Sequence, residues 1–207
     1  MKPRDGYVAY IVNPKSGASD EKKIVMRFEE YLCGKGFTVR KSLSKSMPDI
    51  CELATKAAMD EKCGLVVVAG GDGTVREAMN GLEGSGKRLM ILPCGTENLL
   101  ANELGLEKEI DWLINVFENG DERMLDLGSA NGRCFTSVMG FGFDGDIVKR
   151  VSDRRMGNIK HFDYIQPILE TFRKHEFPVL KVVVDGDEVF NEAGLLFVGN
   201  KIGRAHV

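Results

Sequence analysis

Six residues, Gly70-Gly71-Asp72-Gly73-Thr74-Val75, directly follow the apolar run Leu65-Val66-Val67-Val68-Ala69. A short β-branched run of this kind reads as a buried strand. The glycines after it let the backbone turn sharply and present bare N–H groups. Residues 74–79 read as the start of a helix, so the turn delivers those amides to a helix N-terminus. Unpaired N–H groups and the positive end of the helix dipole favour an anion there, above all a phosphate. Asp72 lies inside the same turn, and a carboxylate beside phosphate is repulsive unless a cation or a proton transfer intervenes. The pattern therefore points to a metal–nucleotide site or to a general base, not to passive phosphate storage. It is neither a Walker A loop nor a G-x-G-x-x-G fingerprint. The plainer alternative is a tight strand-to-helix connection, which needs neither an embedded Asp nor a Thr at the helix start.

Two further loops carry similar chemistry. Asn13-Pro14-Lys15-Ser16-Gly17 offers amides, a hydroxyl and a lysine to a phosphate or ribose. Asn-Pro and Ser-Gly are also common turn pairs, so an ordinary β–α turn remains the alternative. Pro93-Cys94-Gly95-Thr96-Glu97-Asn98 brings Thr96 and Asn98 to the same region. Asn98 is also placed to cap a helix over 99–103, and Cys94 reads as a small apolar filler. Asp126 lies in the strand-like stretch Leu125-Asp126-Leu127-Gly128, where a carboxylate is costly unless paired, beside a metal or facing solvent. Asp144 in Phe141-Gly142-Phe143-Asp144 reads as a site carboxylate or a helix cap. Gly84-Ser85-Gly86-Lys87 looks like the end of a P-loop but has no strand before it and no helix after it, so it reads as an exposed turn. His161, His175 and His206 lack metal-ligand spacing.

The elements that must position these loops alternate. Strands are expected over 7–12, 37–42, 65–69 and 89–92. Helices are expected over 20–35, with Ile24, Val25, Phe28, Tyr31 and Leu32 on one face, and over 48–62, with Ile50, Leu53, Ala54 and Ala57 inward. Pro48 suits the first turn of the second helix. Alternation of this kind implies an α/β fold with parallel strands, right-handed crossovers and a sheet covered on both faces. The three loops all fall at carboxyl ends of strands, where such sheets bind ligands. After about Asp126 the pattern turns strand-rich, with runs over 125–129, 134–138, 179–184 and 195–198. Asn131-Gly132 and Asp185-Gly186 are hairpin signals between them. Residues 144–151 and 159–175 read as helical, the second interrupted by Pro167. The domains expected are 1–126 and 127–201. Residues 202–207 read as a non-native tail, with the native sequence breaking off near Lys201.

The chain has 207 residues, 43% hydrophobic, with 28 basic and 31 acidic residues and a formal net charge of −3. There is no global basic field to attract nucleic acid. No apolar run approaches the roughly 20 residues that span a bilayer. Five widely spaced cysteines without a C-x-x-C pair read as reduced thiols of a cytoplasmic protein.

Taken together and in this order, the loops resemble the diacylglycerol kinase catalytic-domain family, which includes sphingosine, ceramide and bacterial lipid kinases. The matching pieces are Asn13 to Gly17, Gly70 to Thr74, Pro93 to Asn98, Leu125-Asp126-Leu127-Gly128, Gly140 to Asp144 and Val198-Gly199-Asn200. The resemblance implies a Rossmann-like parallel-sheet nucleotide-binding domain followed by a β-sandwich domain, incomplete here, with the active site in the cleft. It implies transfer of the ATP γ-phosphoryl group to a lipid hydroxyl such as that of diacylglycerol or a sphingoid base, with Mg²⁺. Asn13, Pro14, Lys15, Ser16, Gly17, Ser44, Gly70, Gly71, Asp72, Gly73, Thr74, Val75, Arg76 and Thr96 would line the nucleotide. Asp72 and Asp126 would be catalytic, meeting Mg²⁺ through water and orienting the attacking hydroxyl. A lipid acceptor implies transient peripheral contact with the inner membrane face.

Two departures stand out. The family usually has Asn-Glu after the glycine-rich turn, and Arg76-Glu77 keeps only the Glu. The family also continues past Val-Gly-Asn into a segment that carries a catalytic carboxylate and a metal loop, so this chain is expected to be inactive or nearly so. The glycine-rich turn alone also fits an NAD kinase-like enzyme, and a non-catalytic nucleotide-binding module is a third reading.

Overall fold

The computed structural model describes residues 6–141 and 178–200. The chain divides into two compact units between Thr136 and Ser137. The first unit opens with β1 (Tyr7–Val12), α1 (Ser19–Gly34), β2 (Thr38–Leu43), α2 (Met47–Met59) and β3 (Cys63–Gly70). It continues through α3 (Asp72–Leu82), β4 (Leu89–Pro93), α4 (Leu99–Glu103), α5 (Ile110–Asn119), β5 (Gly128–Ala130) and β6 (Arg133–Phe135).

The first four strands form one parallel sheet in the order β2-β1-β3-β4. Its registers bring the carboxyl ends into line. Val12 stands beside Leu43 on one side and Ala69 on the other, and Ala69 stands beside Leu92. The chain leaves β1 in one direction for β2 and crosses back to β3, so the switch point of the sheet lies between β1 and β3. Successive strand residues face opposite ways. Val8, Tyr10, Leu65, Val67, Ala69, Met90 and Leu92 pack with Val25, Phe28 and Leu32 of α1 and Ile110 and Leu113 of α5. The alternate set, Ala9, Ile11, Val66, Val68 and Ile91, is buried as well. Right-handed crossovers place α2 and α3 on that second face, where Ile50, Ala54, Ala57, Val75, Ala78 and Met79 are buried.

The two helices of that face cross closely. A Cβ added at Gly81 of α3 would lie 2.4 Å from the Cys51 carbonyl oxygen and 2.8 Å from the Ala54 Cβ, so only glycine permits the approach. The start of α2 follows local rules. Ser46 accepts the Asp49 N–H and Pro48 sits in the first turn. Helix α5 is an element that the sequence reading did not assign. Phe117 meets the edges of Phe28 and Phe37, with ring centroids 5.8 and 5.6 Å away.

β5 and β6 form an antiparallel hairpin whose turn residues Asn131 and Gly132 have φ of +50° and +70°. This is the backbone that Asn-Gly favours. Asn80 of α3 holds the hairpin. Its Oδ1 accepts the Cys134 N–H at 2.9 Å and its Nδ2 donates to the Cys134 carbonyl at 3.2 Å. The strand expected over 134–138 is split, because β6 ends at Phe135.

In the second unit β7 (Val138–Phe141) pairs antiparallel with β10 (Leu196–Gly199). β8 (Val179–Val184) pairs with β9 (Asp187–Ala193) across Asp185-Gly186, again with positive φ at both turn residues. The fold is thus α/β, a Rossmann-like parallel sheet followed by antiparallel strand pairs of an incomplete β-sandwich. The helices expected over 144–151 and 159–175, Asp144, His161, His175 and residues 202–207 lie outside the described residues. All five cysteines are free thiols. Among the described residues no helix is long and apolar enough to cross a membrane.

Candidate active site

Among the described residues, the buried polar or charged side chains are Asn13, Ser16, Ser44, Thr74, Glu77 and Asn98. Five of the six sit where a parallel strand ends. Asn13 and Ser16 follow β1, Ser44 follows β2, Thr74 opens α3 after β3, and Asn98 follows β4. Polar groups are costly to bury without partners, and here they gather at the carboxyl end of the parallel sheet, where such sheets bind ligands.

Asn13 ties the first loop to the second. Its N–H donates to the Ala69 carbonyl at 3.0 Å, and its Nδ2 donates to Thr74 Oγ1 at 2.9 Å. Its Oδ1 accepts the Lys15 N–H at 3.0 Å, closing a local turn. Gly17, at φ +84°, completes that turn. A Cβ there would lie 2.9 Å from the Glu21 Cβ and 3.4 Å from Cys94. Ser44 is held alongside, its N–H donating to the Val12 carbonyl at 2.9 Å. Pro14 and Lys15 are exposed.

The second and third loops touch through glycine. A Cβ on Gly95 would lie 2.7 Å from the Gly71 Cα, and one on Gly70 would collide with the Thr74 side chain at 2.4 Å. The Cys94 N–H donates to the Gly70 carbonyl at 2.9 Å. Cys94 itself is filler, with burial pushing its thiol up to about 12. Asn98 does not cap α4 with its side chain, contrary to the sequence expectation. It occupies the N-cap position in the left-handed region, at φ +50°. Its Oδ1 instead accepts the Gly95 N–H at 2.7 Å and its Nδ2 donates to the Gly95 carbonyl at 2.8 Å. The side chain is spent on closing its own loop.

Asp72 is the first residue of α3 and is half-buried. Burial pushes its carboxyl above the ordinary range, against the pull of backbone N–H groups of Leu99, Leu100 and Asn98. The carboxylate therefore faces the start of α4, so α3 and α4 are joined through Asp72. Gly73, Thr74, Val75 and Arg76 follow it on α3, with Arg76 exposed and Val75 buried. Thr96 is exposed within the third loop. Asp126 is exposed in the coil before β5, so it is not the strand carboxylate that the sequence suggested.

Sequence reasoning missed Glu21 and Lys108. Lys108 Nζ donates to the Gly95 carbonyl at 2.6 Å and pairs with Glu21 Oε1 at 3.3 Å. Glu21 Oε2 accepts the Ala18 N–H at 2.9 Å. Burial raises the Glu21 carboxyl, yet the Glu21 and Ala18 N–H groups and the Lys108 ammonium outweigh it and hold it below the usual range. The pair fastens the third loop to the start of α1. Nothing local in the sequence signals a bond spanning 87 residues.

Bare amides at the start of an eleven-residue helix, backed by glycine contacts and edged by neutral polar groups, can receive a phosphate without a lysine cage. The diacylglycerol kinase catalytic domain matches residues 7–130, more than half of the chain. The chain belongs to the diacylglycerol kinase catalytic-domain family. A diacylglycerol kinase of Bacillus subtilis strain 168 is 34% identical over 139 residues, which are 64% of this chain and 44% of that protein. A diacylglycerol kinase of Staphylococcus carnosus strain TM300 is 26% identical over 190 residues, 91% of this chain and 61% of that one. The crystal structure of a diacylglycerol kinase from Bacillus anthracis strain Sterne superposes with a TM-score of 0.66 at 29% identity. It covers 96% of this chain and 66% of the other. The chain thus spans less than two thirds of the length of these relatives.

Proposed function

We propose that this chain binds ATP and serves the transfer of its γ-phosphoryl group to a lipid hydroxyl, such as that of diacylglycerol or a sphingoid base. The observation that carries the reading is the contact of Gly71 with Gly95 at the mouth of α3. It leaves main chain, not side chain, as the lining where a triphosphate would lie. Membership of the family supplies the reaction class.

In this reading, Gly70 through Arg76 wrap the phosphates. Asn13, Pro14, Lys15, Ser16, Gly17, Ser44 and Thr96 line the rest of the nucleotide. Phosphoryl transfer asks mainly for positioning and charge stabilisation, and a rigid set of amides provides both. Asp72 and Asp126 are the carboxylates assigned to the metal–water network and to orienting the acceptor hydroxyl. Among the described residues no group of three or more His, Cys, Asp or Glu could hold a metal ion. A hydrated Mg²⁺ carried chiefly by the nucleotide's own phosphates asks the protein for only one or two carboxylates. When bound, that ion would neutralise charge on the phosphate oxygens. A lipid acceptor requires contact with a membrane surface, which we place peripherally at the cytoplasmic face. In this reading the nucleotide chemistry rests on residues up to about 126, and the first compact unit runs on through the β5–β6 hairpin to Thr136.

The test is ATP binding to the purified chain by calorimetry, together with transfer of labelled γ-phosphate in mixed micelles of diacylglycerol or sphingosine by a protein extended to the length of the relatives. Saturable ATP binding is expected of the chain itself, and labelled lipid of the extended protein. No ATP binding overturns the proposal. Label in NAD and none in lipid points to an NAD kinase-like enzyme, and tight binding without transfer to any acceptor points to a non-catalytic module.

A further inference from the structure

One buried charge lies just past the proposed phosphate turn and has no part in the reading above. Glu77 exposes only 6% of its side chain, yet both of its carboxylate oxygens are taken by arginines. Oε1 pairs with Arg76 Nη2 at 3.0 Å, and Oε2 pairs with Arg133 Nη2 on β6. Residues i and i+1 of a helix do not face each other, so the Arg76 side chain must fold around α3 to make this bond. Neutralising a single buried carboxylate takes one cation. The hairpin that carries Arg133 does not depend on the ion pair either, since Asn80 already binds both backbone groups of Cys134. The second arginine leaves surplus positive charge, and the Arg76 and Arg133 side chains remain 51% and 58% exposed. Arg76 spends one of its five guanidinium donors on Glu77. It sits one turn beyond Asp72 on the helix whose first turn forms the proposed cradle.

We infer that Glu77 is a positioning residue, which holds the Arg76 guanidinium toward the terminal phosphates of a bound nucleoside triphosphate while Arg133 fixes the carboxylate from its other side. The inference rests on the nucleotide reading above. Arg133 keeps the anion from rotating, so Arg76 is presented in one orientation and pays little ordering entropy on binding.

The test is a double-mutant cycle read on ATP and AMP affinities of the full 207-residue chain. Arg76→Met is expected to weaken ATP binding about tenfold, the scale of one charge-assisted hydrogen bond, and to leave AMP binding unchanged. Glu77→Gln is expected to give a similar selective loss. In the Arg76→Met background, Glu77→Gln should add nothing. A merely structural Glu77 would weaken ATP and AMP equally and would act additively with Arg76→Met, and either result overturns the inference. If Glu77→Gln does not fold, Glu77→Asp keeps the buried anion but withdraws it by one methylene. The same selective loss is then expected, and an unchanged ATP-to-AMP ratio overturns the inference. If the unsubstituted chain binds no ATP, the nucleotide reading falls and this one with it. If it binds ATP and ignores Glu77→Gln, only this one falls.

Discussion

At Asp72 the protein sets a carboxylate where water has been partly withdrawn, and burial raises its pKa despite the α4 amides around it. A carboxyl whose folded pKa lies above its unfolded value contributes stability that is full below the unfolded pKa, ordinarily 3.8 here, and is lost as pH rises through the folded pKa. Burial thus works against the ionised form of this group, a pattern that collects at functional sites. Asp72→Asn should therefore unfold at pH 7 no more easily than the unsubstituted chain, and should lose part of the acid-side gain. Thermal melts between pH 4 and 8 check this. A loss of about 1 kcal/mol or more at pH 7 would mean that the side chain serves mainly as a cap for α4. Asp72 stood out in the sequence because a carboxylate inside a glycine turn is chemically odd, and it opens α3. Lys108 was not, because its partner is a backbone carbonyl and its salt bridge lies far away in sequence. Asn98 misled because capping and loop closure use the same amide, and only the left-handed backbone decides between them.

Elements reveal themselves through periodicity, and most of the first unit did so. β1 was read at its observed bounds, and α1, α2, β3 and β4 within a few residues, since helix and strand ends fray and blur. α5 had a signal that went unread. Ile110, Leu113, Ile114 and Phe117 recur at i, i+3, i+4 and i+7, a full helical stripe, and the first two are buried against the sheet. The hairpin turns at Asn131-Gly132 and Asp185-Gly186 were legible because positive φ at both central residues selects those pairs. The α2–α3 crossing was not, because Gly81 inside a helical pattern looks only like a weak helix former. Packing gives it its meaning. Gly81→Ala would drive a Cβ into the Cys51 carbonyl and the Ala54 methyl. The expected cost is about 1–3 kcal/mol of overpacking, measurable by urea denaturation. A neutral or stabilising result would show that α2 shifts aside without loss.

The two units differ in where apolar surface is hidden. Every buried hydrophobic residue among the described ones lies at or before Phe135. In the second unit Val179, Val183, Val184, Val189, Leu195 and Phe197 are all more than half exposed. Local opening is easy where few apolar contacts must be broken. Hydrogen exchange should therefore be slow across β1, β3 and β4 and faster by orders of magnitude across β8, β9 and β10. Saturating ATP should protect the loops after β1, β3 and β4 before it affects β8–β10. Equal protection in both units would contradict the division of stability. The sequence announced the change of pattern near Asp126 through the shift from alternating helices to turns and strands. It did not show that β5 and β6 stay with the first unit, because the bonds from Asn80 that keep them there cross more than fifty residues.

The glycine-to-glycine contact between the second and third loops also bears on ionic strength. Mobile ions weaken attraction between solvent-exposed charges separated by more than a Debye length, about 8 Å in physiological salt. Peptide dipoles pressed directly against a ligand lie inside that distance and carry no net charge for counter-ions to neutralise. If a triphosphate binds there as proposed, a grip made of main chain would be largely indifferent to the saltiness of its surroundings, and the remaining sensitivity would come from exposed cationic side chains such as Lys15 and Arg76.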